Sequence, residues 1–341
     1  MISFECDYCN GAHQKILDRL ISTNSFQSLT YGDDEFSLSA NEKIKKACKN
    51  DKLDIYFLMG GTQTNSTIID SILQSFQSVI AVDCSHINVH ESGAIESCGH
   101  KVVTLQSYNG KLRSEDLESY LEKFYADETY PHMTQPGLVY ITFPTEWGTI
   151  YSHNELEKIS IVCKKYHLPL YLDGARLGYG LVAEENDITL NDLCSLTDVF
   201  YIGGTKIGAL CGEAAVFTHN NSNPNFFTIQ KQHGAVLAKG RLLGIQFDEL
   251  FTDNLYFEIS THAVNMAMQM KEIFKNKGYS FYIDSPTNQQ FVIIKNDRIE
   301  ELNKHFLFSH IAPYNDNSTI CRFVTSWATK EEEIQELKKY L

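Results

Sequence analysis

Leu170-Tyr-Leu-Asp173-Gly-Ala-Arg176 is an apolar run that ends abruptly in a carboxylate, a glycine and an arginine. Further along, Val199-Phe-Tyr-Ile-Gly-Gly-Thr205-Lys206-Ile-Gly208 sets a single lysine just past a second apolar run, flanked by three glycines. Both runs read as buried strands, and in a parallel sheet the carboxyl ends of such strands are where ligands sit. An Asp screened from water there favours the charged form of a nearby base, so Asp173 can hold a ring nitrogen protonated; the alternative is an Asp that caps the next turn. A lysine in an apolar pocket loses ammonium character and becomes nucleophilic toward aldehydes, although Lys206 taken alone reads better as a loop lysine reaching solvent.

Upstream, Ile55-Tyr-Phe-Leu-Met-Gly60-Gly61-Thr62-Gln63-Thr64-Asn65 reads as a strand, two glycines, then hydroxyl and amide residues opening a helix. Open N–H groups and the dipole at such a helix start form a phosphate cradle. No lysine follows the second glycine as a Walker sequence requires, which argues against a nucleoside triphosphate. An ordinary glycine-rich turn has the same appearance.

From about residue 54 short β-rich runs alternate with helical stretches. The pattern predicts Ile55–Met59, Asn65–Gln77, Val79–Asp83, Lys101–Leu105, Ser114–Ala126, Leu138–Phe143, Asn154–His167, Leu170–Asp173, Leu190–Leu196, Val199–Ile202 and Ala214–Phe217. Such alternation predicts an α/β fold with a mostly parallel sheet covered on both faces. Ser152 with Glu155 and Thr329 with Glu332 have capping-box spacing. After Gly244 the pattern changes to a long helix through Lys275, then Tyr279–Ile283, Phe291–Lys295, Ile320–Val324 and a terminal helix. The expected division is an N-terminal segment over residues 1–20, a large α/β domain over 21–244 and a small α+β domain over 245–341.

Composition narrows the partners. A chain of 341 residues with 43% hydrophobic content can bury a substantial core, and a net charge of −14 disfavours nucleic acid and anionic membrane surfaces. Nine cysteines, scattered except for Cys6 and Cys9, fit reduced thiols. No basic and apolar leader opens the chain and no long apolar run interrupts it, so a soluble cytoplasmic protein is expected.

Together and in this order, the segments resemble the threonine aldolase and β-eliminating lyase family of pyridoxal 5'-phosphate (PLP) enzymes, with the aspartate-aminotransferase fold (fold type I). The carriers are Gly61-Thr62-Gln63-Thr64-Asn65, His86 within Asp83–Gly93, Asp173-Gly-Ala-Arg176, Thr205-Lys206 and Arg322-Phe-Val-Thr, and the resemblance runs from about Tyr31 to Arg322. It implies a PLP Schiff base on Lys206, with Asp173 paired to the pyridinium nitrogen and Arg176 bonded to the phenolic oxygen. It implies further that Gly61, Thr62 and Thr205 hold the phosphate, that His86 stacks on the ring and serves as a base, and that Arg322 clamps the substrate carboxylate. Tyr31 would reach a neighbouring subunit's site, as expected of a homodimer or homotetramer with shared active sites. The implied activity is retro-aldol cleavage of a β-hydroxy amino acid to glycine and an aldehyde; a β-eliminating lyase acting on serine or cysteine is the alternative.

The chain also departs from that family. Where threonine aldolases carry an Arg-Ser-Asp-Thr-like segment, this one reads Glu5-Cys6-Asp7-Tyr8-Cys9, so the Cys6 thiol replaces a substrate-contacting hydroxyl. In Phe143-Pro-Thr-Glu146-Trp147-Gly, Glu146 stands where the family's hydroxyl-contacting histidine is expected, either as a substitute base or as a structural turn carboxylate. Lys239 and Arg241 match no known contact. Two other classes compete: a dehydrogenase, from the loose fingerprint Gly178-Tyr-Gly180-Leu-Val-Ala183, and a metal-binding module, from Cys6 and Cys9 with His86, His90 and Glu91. The first glycine of that fingerprint lies too far from the strand end, a lone CxxC is poor support for zinc, and no metal is expected. A non-catalytic binding protein of the same fold is disfavoured by Lys206.

Overall fold

Residues 1–341 are described by a computed structural model in which two sheets organise the chain. The larger has seven strands, in the spatial order Asp54–Leu58, Glu213–Phe217, Val199–Gly203, Leu170–Asp173, Gln135–Thr142, Gln77–Val82 and Lys101–Leu105. Only Glu213–Phe217 runs against its neighbours; every other pairing is parallel. All residues of Leu170–Asp173, Val199–Gly203 and Glu213–Phe217 are buried, as central strands covered on both faces must be.

Side-chain alternation along these strands divides two apolar layers. Val139, Ile141, Leu170, Leu172, Phe200 and Ile202 join one core, whereas Leu138, Tyr140, Tyr171, Val199 and Tyr201 join the other. The period of two therefore places Asp173 on the face shared by Tyr171 and Tyr201, where helix Gly61–Ile72 packs.

The second sheet is antiparallel, in the order Ser309–Asn315, Ser318–Val324, Gln289–Lys295, Ser280–Ile283. Helices Leu255–Asn276 and Glu331–Tyr340 supply Met270, Phe274, Ile334 and Leu337 to its apolar side. Ile2–Ser3 pairs in parallel with Phe306–Leu307, so the amino terminus is anchored beside this sheet. No helix is long and apolar enough to cross a membrane.

Several expectations change. The single helix anticipated from Gly244 to Lys275 is two, Arg241–Leu250 and Leu255–Asn276, because Asp253 and Asn254 adopt φ of 47° and 63°, a left-handed conformation no α-helix contains. The helix expected over 65–77 starts earlier, at Gly61, and stops at Ile72, since Gln77 already belongs to a strand. Ser152 and Glu155 form their capping box. Thr329 and Glu332 do not: the Thr329 hydroxyl accepts the Ser326 N–H at 2.8 Å, and the helix begins at Glu331, so Glu333 accepts the Lys330 N–H instead. Gly178 and Gly180 sit in the short helix Leu177–Leu181, where added Cβ atoms would lie 2.4 Å from Ser260 Oγ and 2.6 Å from the Phe143 ring. Those glycines serve packing, which removes the basis of a dinucleotide fingerprint.

Gly174 lets the two central strand ends approach each other. Gly203 N–H donates to Gly174 O at 3.0 Å, and a Cβ on Gly174 would lie 1.9 Å from the Tyr201 carbonyl oxygen. Gly174→Ala is expected to lower stability by about 3 kcal/mol or more, because backbone rather than a flexible side chain must yield. Gly11→Ala, with nothing within 4 Å of its Cβ, is the control and should stay within about 0.5 kcal/mol by chemical denaturation.

Candidate active site

Asp173 ends its strand as a buried carboxylate whose every contact is directed. Tyr140 OH and Asn65 Nδ2 donate to Oδ2 at 2.6 and 3.1 Å, and the Ala175 N–H donates to Oδ1 at 2.9 Å. Asp173 thus caps its own turn with one oxygen and meets Tyr140 and Asn65 with the other. Burial, and next the Asp173 charge, push the Tyr140 hydroxyl well above its ordinary range, so it remains a donor.

Lys206 follows the neighbouring strand. Burial, then the Arg176 charge, lower its ammonium pKa, against the opposing pull of Asp7, Asp173 and Glu213. Its carbonyl accepts from Tyr179 OH at 2.6 Å, and the Tyr8 ring centre lies 6.0 Å from Nζ. A loop lysine reaching solvent is not what the structure shows. Glu213 Oε2 accepts the Gly204 N–H at 3.0 Å, and burial pushes its carboxyl up to about 8.

Arg176 forms a fork on Asp7, with Nε and Nη2 donating to Oδ2 and Oδ1 at 2.7 and 3.0 Å. Asn288 Nδ2 donates to the same Oδ2 at 2.9 Å. Burial works against ionisation of Asp7, yet Arg176, Lys206 and these hydrogen bonds hold its pKa below the ordinary value. The amino-terminal segment thereby spans the large sheet and the small one.

His86 and Glu146 meet directly. The His86 N–H donates to Glu146 Oε1 at 2.8 Å, an oxygen that also accepts from Thr142 Oγ1 at 2.8 Å. Glu146 Oε2 is buried without a partner, and burial raises the carboxyl's pKa. The adjoining Trp147 ring packs against Tyr282 and Phe291 at 5.1 and 5.2 Å. His86 Nδ1 lies 2.7 Å from the buried Glu91 Oε1.

Arg322 sits in the strand Ser318–Val324, its Nη1 donating to Gln289 Oε1 at 3.3 Å and its Nη2 to Ser309 Oγ at 3.2 Å and Glu5 O at 3.4 Å. Its buried Nε has no partner. Burial first and the nearby Arg176 second lower its pKa, and Asp7, Tyr8 and Cys6 act against them. Those charges place Arg322 beside the Cys6–Tyr8 segment. Cys6 Sγ lies 3.2 Å from Cys9 Sγ, and burial pushes the Cys6 thiol up to about 11.

Gly61 and Thr62 open the helix Gly61–Ile72, whose cap residue Gly60 makes no side-chain bond, so the first amides stay open. Thr205 Oγ1 accepts the Gly212 N–H at 3.0 Å. Tyr31 lies at the surface with φ of 62° and Lys231 Nζ 4.9 Å from its ring centre, and nothing joins it to this group within one chain. Arg241 is tied to Phe26 O, Ser28 Oγ and Thr23 O as a structural link. No group of three or more His, Cys, Asp or Glu side chains is arranged to hold a metal ion.

Sequence reasoning assigned no role to Asp7, Asn65, Tyr140, Glu213 or Asn288. Glu213 carried the clearest signal, as an acid opening the apolar run Glu213-Ala-Ala-Val-Phe. Such a residue is retained in a buried strand only with partners or a shifted pKa.

The donor set fits PLP: an amine of lowered pKa for the aldehyde, a buried carboxylate for the ring nitrogen, and an open helix start for the phosphate. Fold and site thus define a PLP-dependent enzyme with the aspartate-aminotransferase fold. A family model described as beta-eliminating lyase matches residues 11–289, and the chain belongs to that family. A low-specificity L-threonine aldolase from a Pseudomonas species is 30% identical over 98% of this chain and 95% of its own length. A threonine aldolase from Leishmania major is 43% identical, with a TM-score of 0.96 over 99% of this chain and 98% of that one. Aspartate aminotransferase from Thermus thermophilus, at 11% identity and a TM-score of 0.71 over 100% of this chain and 90% of its own, shares the fold.

Proposed function

We propose that the chain is a PLP-dependent carbon–carbon lyase that cleaves a β-hydroxy amino acid of the threonine type to glycine and an aldehyde. The observation that carries this reading is the partly buried Lys206 amine of lowered pKa, set among Asp7, Asp173, Arg176 and Glu213 in a chain similar throughout to threonine aldolases. When bound, PLP supplies an electron sink for the pair left by the broken Cα bond.

Lys206 holds the cofactor and Asp173 faces its ring nitrogen, with Gly61, Thr62 and Thr205 at the phosphate and Arg176 at the phenolic oxygen. Arg322, beside Cys6, binds the substrate carboxylate, supported by its unpartnered buried Nε. His86 would stand beside the ring, its Nδ1 held by Glu91 and its Nε2 left as an acceptor. Glu146 Oε2 takes the proton of the β-hydroxyl, which its unpartnered position and raised pKa support. Trp147, next to Glu146, is held in place by packing against Tyr282 and Phe291. The proposal extends to a homo-oligomer in which Tyr31 reaches the second subunit's site, and to a cytoplasmic location, supported by nine free cysteines and a charge of −14. It also keeps the division into a large and a small domain, supported by the two separate sheets, with the boundaries moved off residues 20 and 244 because helices Gln14–Thr23 and Arg241–Leu250 run through them.

Threonine, allo-threonine, serine, cysteine and alanine, each incubated with the enzyme, decide the reaction. Glycine and acetaldehyde are expected from threonine or its allo isomer. Pyruvate and ammonia from serine or cysteine, with no glycine from threonine, would establish a β-eliminating lyase. Glu146→Gln should cut aldol cleavage by roughly a hundredfold or more while α-proton exchange with solvent survives. Loss of both together would make Glu146 structural. Because the carboxyl must be ionised to accept the proton and burial raises its pKa, the acid limb of the cleavage rate should lie above the usual glutamate range and vanish in Glu146→Gln.

A further inference from the structure

One continuous chain of hydrogen bonds, buried from Glu91 onward, runs from His86 to Asp173. His86 Nδ1 lies 2.7 Å from Glu91 Oε1, the same Oε1 accepts Asn65 Nδ2 at 2.7 Å, and Asn65 Nδ2 also donates to Asp173 Oδ2 at 3.1 Å. Tyr171 OH donates to Asn65 Oδ1 at 2.7 Å and Tyr140 OH to Asp173 Oδ2 at 2.6 Å. The tyrosine bond fixes which end of the Asn65 amide is oxygen, so both Nδ2 hydrogens point at carboxylates. Glu91 side chain is fully buried and its Oε2 has no partner. A buried acid with one oxygen spent on this link has no other ionic partner to explain it.

We infer that Glu91 is a positioning residue that fixes the His86 tautomer, and that Asn65 ties this pair to Asp173 so that the groups above the ring and at its nitrogen are set as one unit. An ionised carboxylate only accepts, so Nδ1 of His86 carries the hydrogen and Nε2 presents its lone pair. Without Glu91 the two tautomers of a ring that is 38% exposed become comparable, and the base-competent one is no longer enforced. Asn65 acts on the other end: its loss removes one of the three donors that orient Asp173.

This inference deepens the proposed role of His86 and rests on it, so the test reads the tautomer apart from the rate. The groups around His86 are Glu91, Glu146 at its backbone N–H, Asp173 through Asn65, and His90, whose ring centre is 5.6 Å away and which Arg322 influences. Nitrogen NMR of histidine-labelled holoenzyme and of the cofactor-free full chain, with His86→Asn to assign the signal, should show His86 protonated at Nδ1. In Glu91→Gln the signal should shift to a tautomer mixture, because the acceptor that holds the hydrogen on Nδ1 is gone. In the same variant kcat should fall roughly tenfold to a hundredfold with KM little changed. Glu91→Asp, which keeps the charge at shorter reach, should restore part of both. Asn65→Ala should leave the His86 tautomer in place but alter the pH dependence of the cofactor's visible band through Asp173. A His86 signal protonated at Nε2, or one unmoved by Glu91→Gln, overturns the inference. A fixed tautomer with a His86→Asn enzyme of full activity would instead remove His86 as the base while leaving the geometry as inferred.

Discussion

Lys206→Ala is expected to abolish covalent cofactor attachment and to lower turnover by at least roughly a thousandfold, the largest effect of any single change in the chain. Wild-type protein should be yellow, and borohydride should bleach the visible band while fixing the cofactor to the peptide that contains Lys206. The cause is local. Burial and the Arg176 charge disfavour the ammonium, so the free amine is more available to an aldehyde than that of an exposed lysine. The sign runs one way: a lowered pKa shifts the appearance of free amine to lower pH, so attachment should form at pH values where an exposed lysine stays protonated. Asp7, Asp173 and Glu213 pull the other way and limit the shift. A Lys206→Ala protein that still gave a borohydride-stable adduct, at another lysine, would refute the assignment.

Asp173→Asn should retain bound cofactor yet lose turnover by roughly a hundredfold to a thousandfold, with the loss in kcat rather than KM. A carboxylate that stabilises a protonated ring nitrogen contributes more as the ring accepts the electron pair than in the resting complex. The choice of substitution matters because Asp173 also accepts from Tyr140 OH, Asn65 Nδ2 and the Ala175 N–H. Asp173→Ala strands those buried donors and adds a folding cost of about 1–3 kcal/mol for each left unsatisfied. Asparagine keeps one acceptor oxygen and nearly the same shape, so it strands fewer of these donors than alanine does and its kinetics come closer to the effect of the charge. Comparing the denaturation midpoints of the two variants with their kcat values separates the two contributions. Asp173→Asn turning over near the wild-type rate would mean that another group protonates the ring.

Much of the fold was written in the chain because its signals are local. Leu170–Asp173, Lys101–Leu105, Ser114–Ala126 and Leu190–Leu196 fall where apolar periodicity placed them, and Ser152 with Glu155 caps its helix as the spacing requires. Each depends on residues within a few positions of one another. The break at Asp253–Asn254 is missed by apolar periodicity alone: Thr252-Asp253-Asn254 is a short polar run inside an otherwise helical pattern, and Asp and Asn are among the residues that most readily take the left-handed φ found there.

The site divides in the same way. Lys206, Asp173 and the Gly60–Asn65 turn could be read from sequence, because each is a strand end followed by residues that an apolar strand does not otherwise carry. Tertiary structure alone decided their partners. Asp7 reaches Arg176 across 169 positions, Asn65 reaches Asp173 across 108, and Asn288 reaches Asp7 across 281. Glu146 was read as a replacement for a histidine, but only the folded chain shows one of its oxygens spent on the His86 N–H and the other left free. Sequence fixes which side chains stand at each strand end, through alternation and turn chemistry. Which of them share a hydrogen, and hence which carry a shifted pKa, depends on how burial brings distant strand ends together.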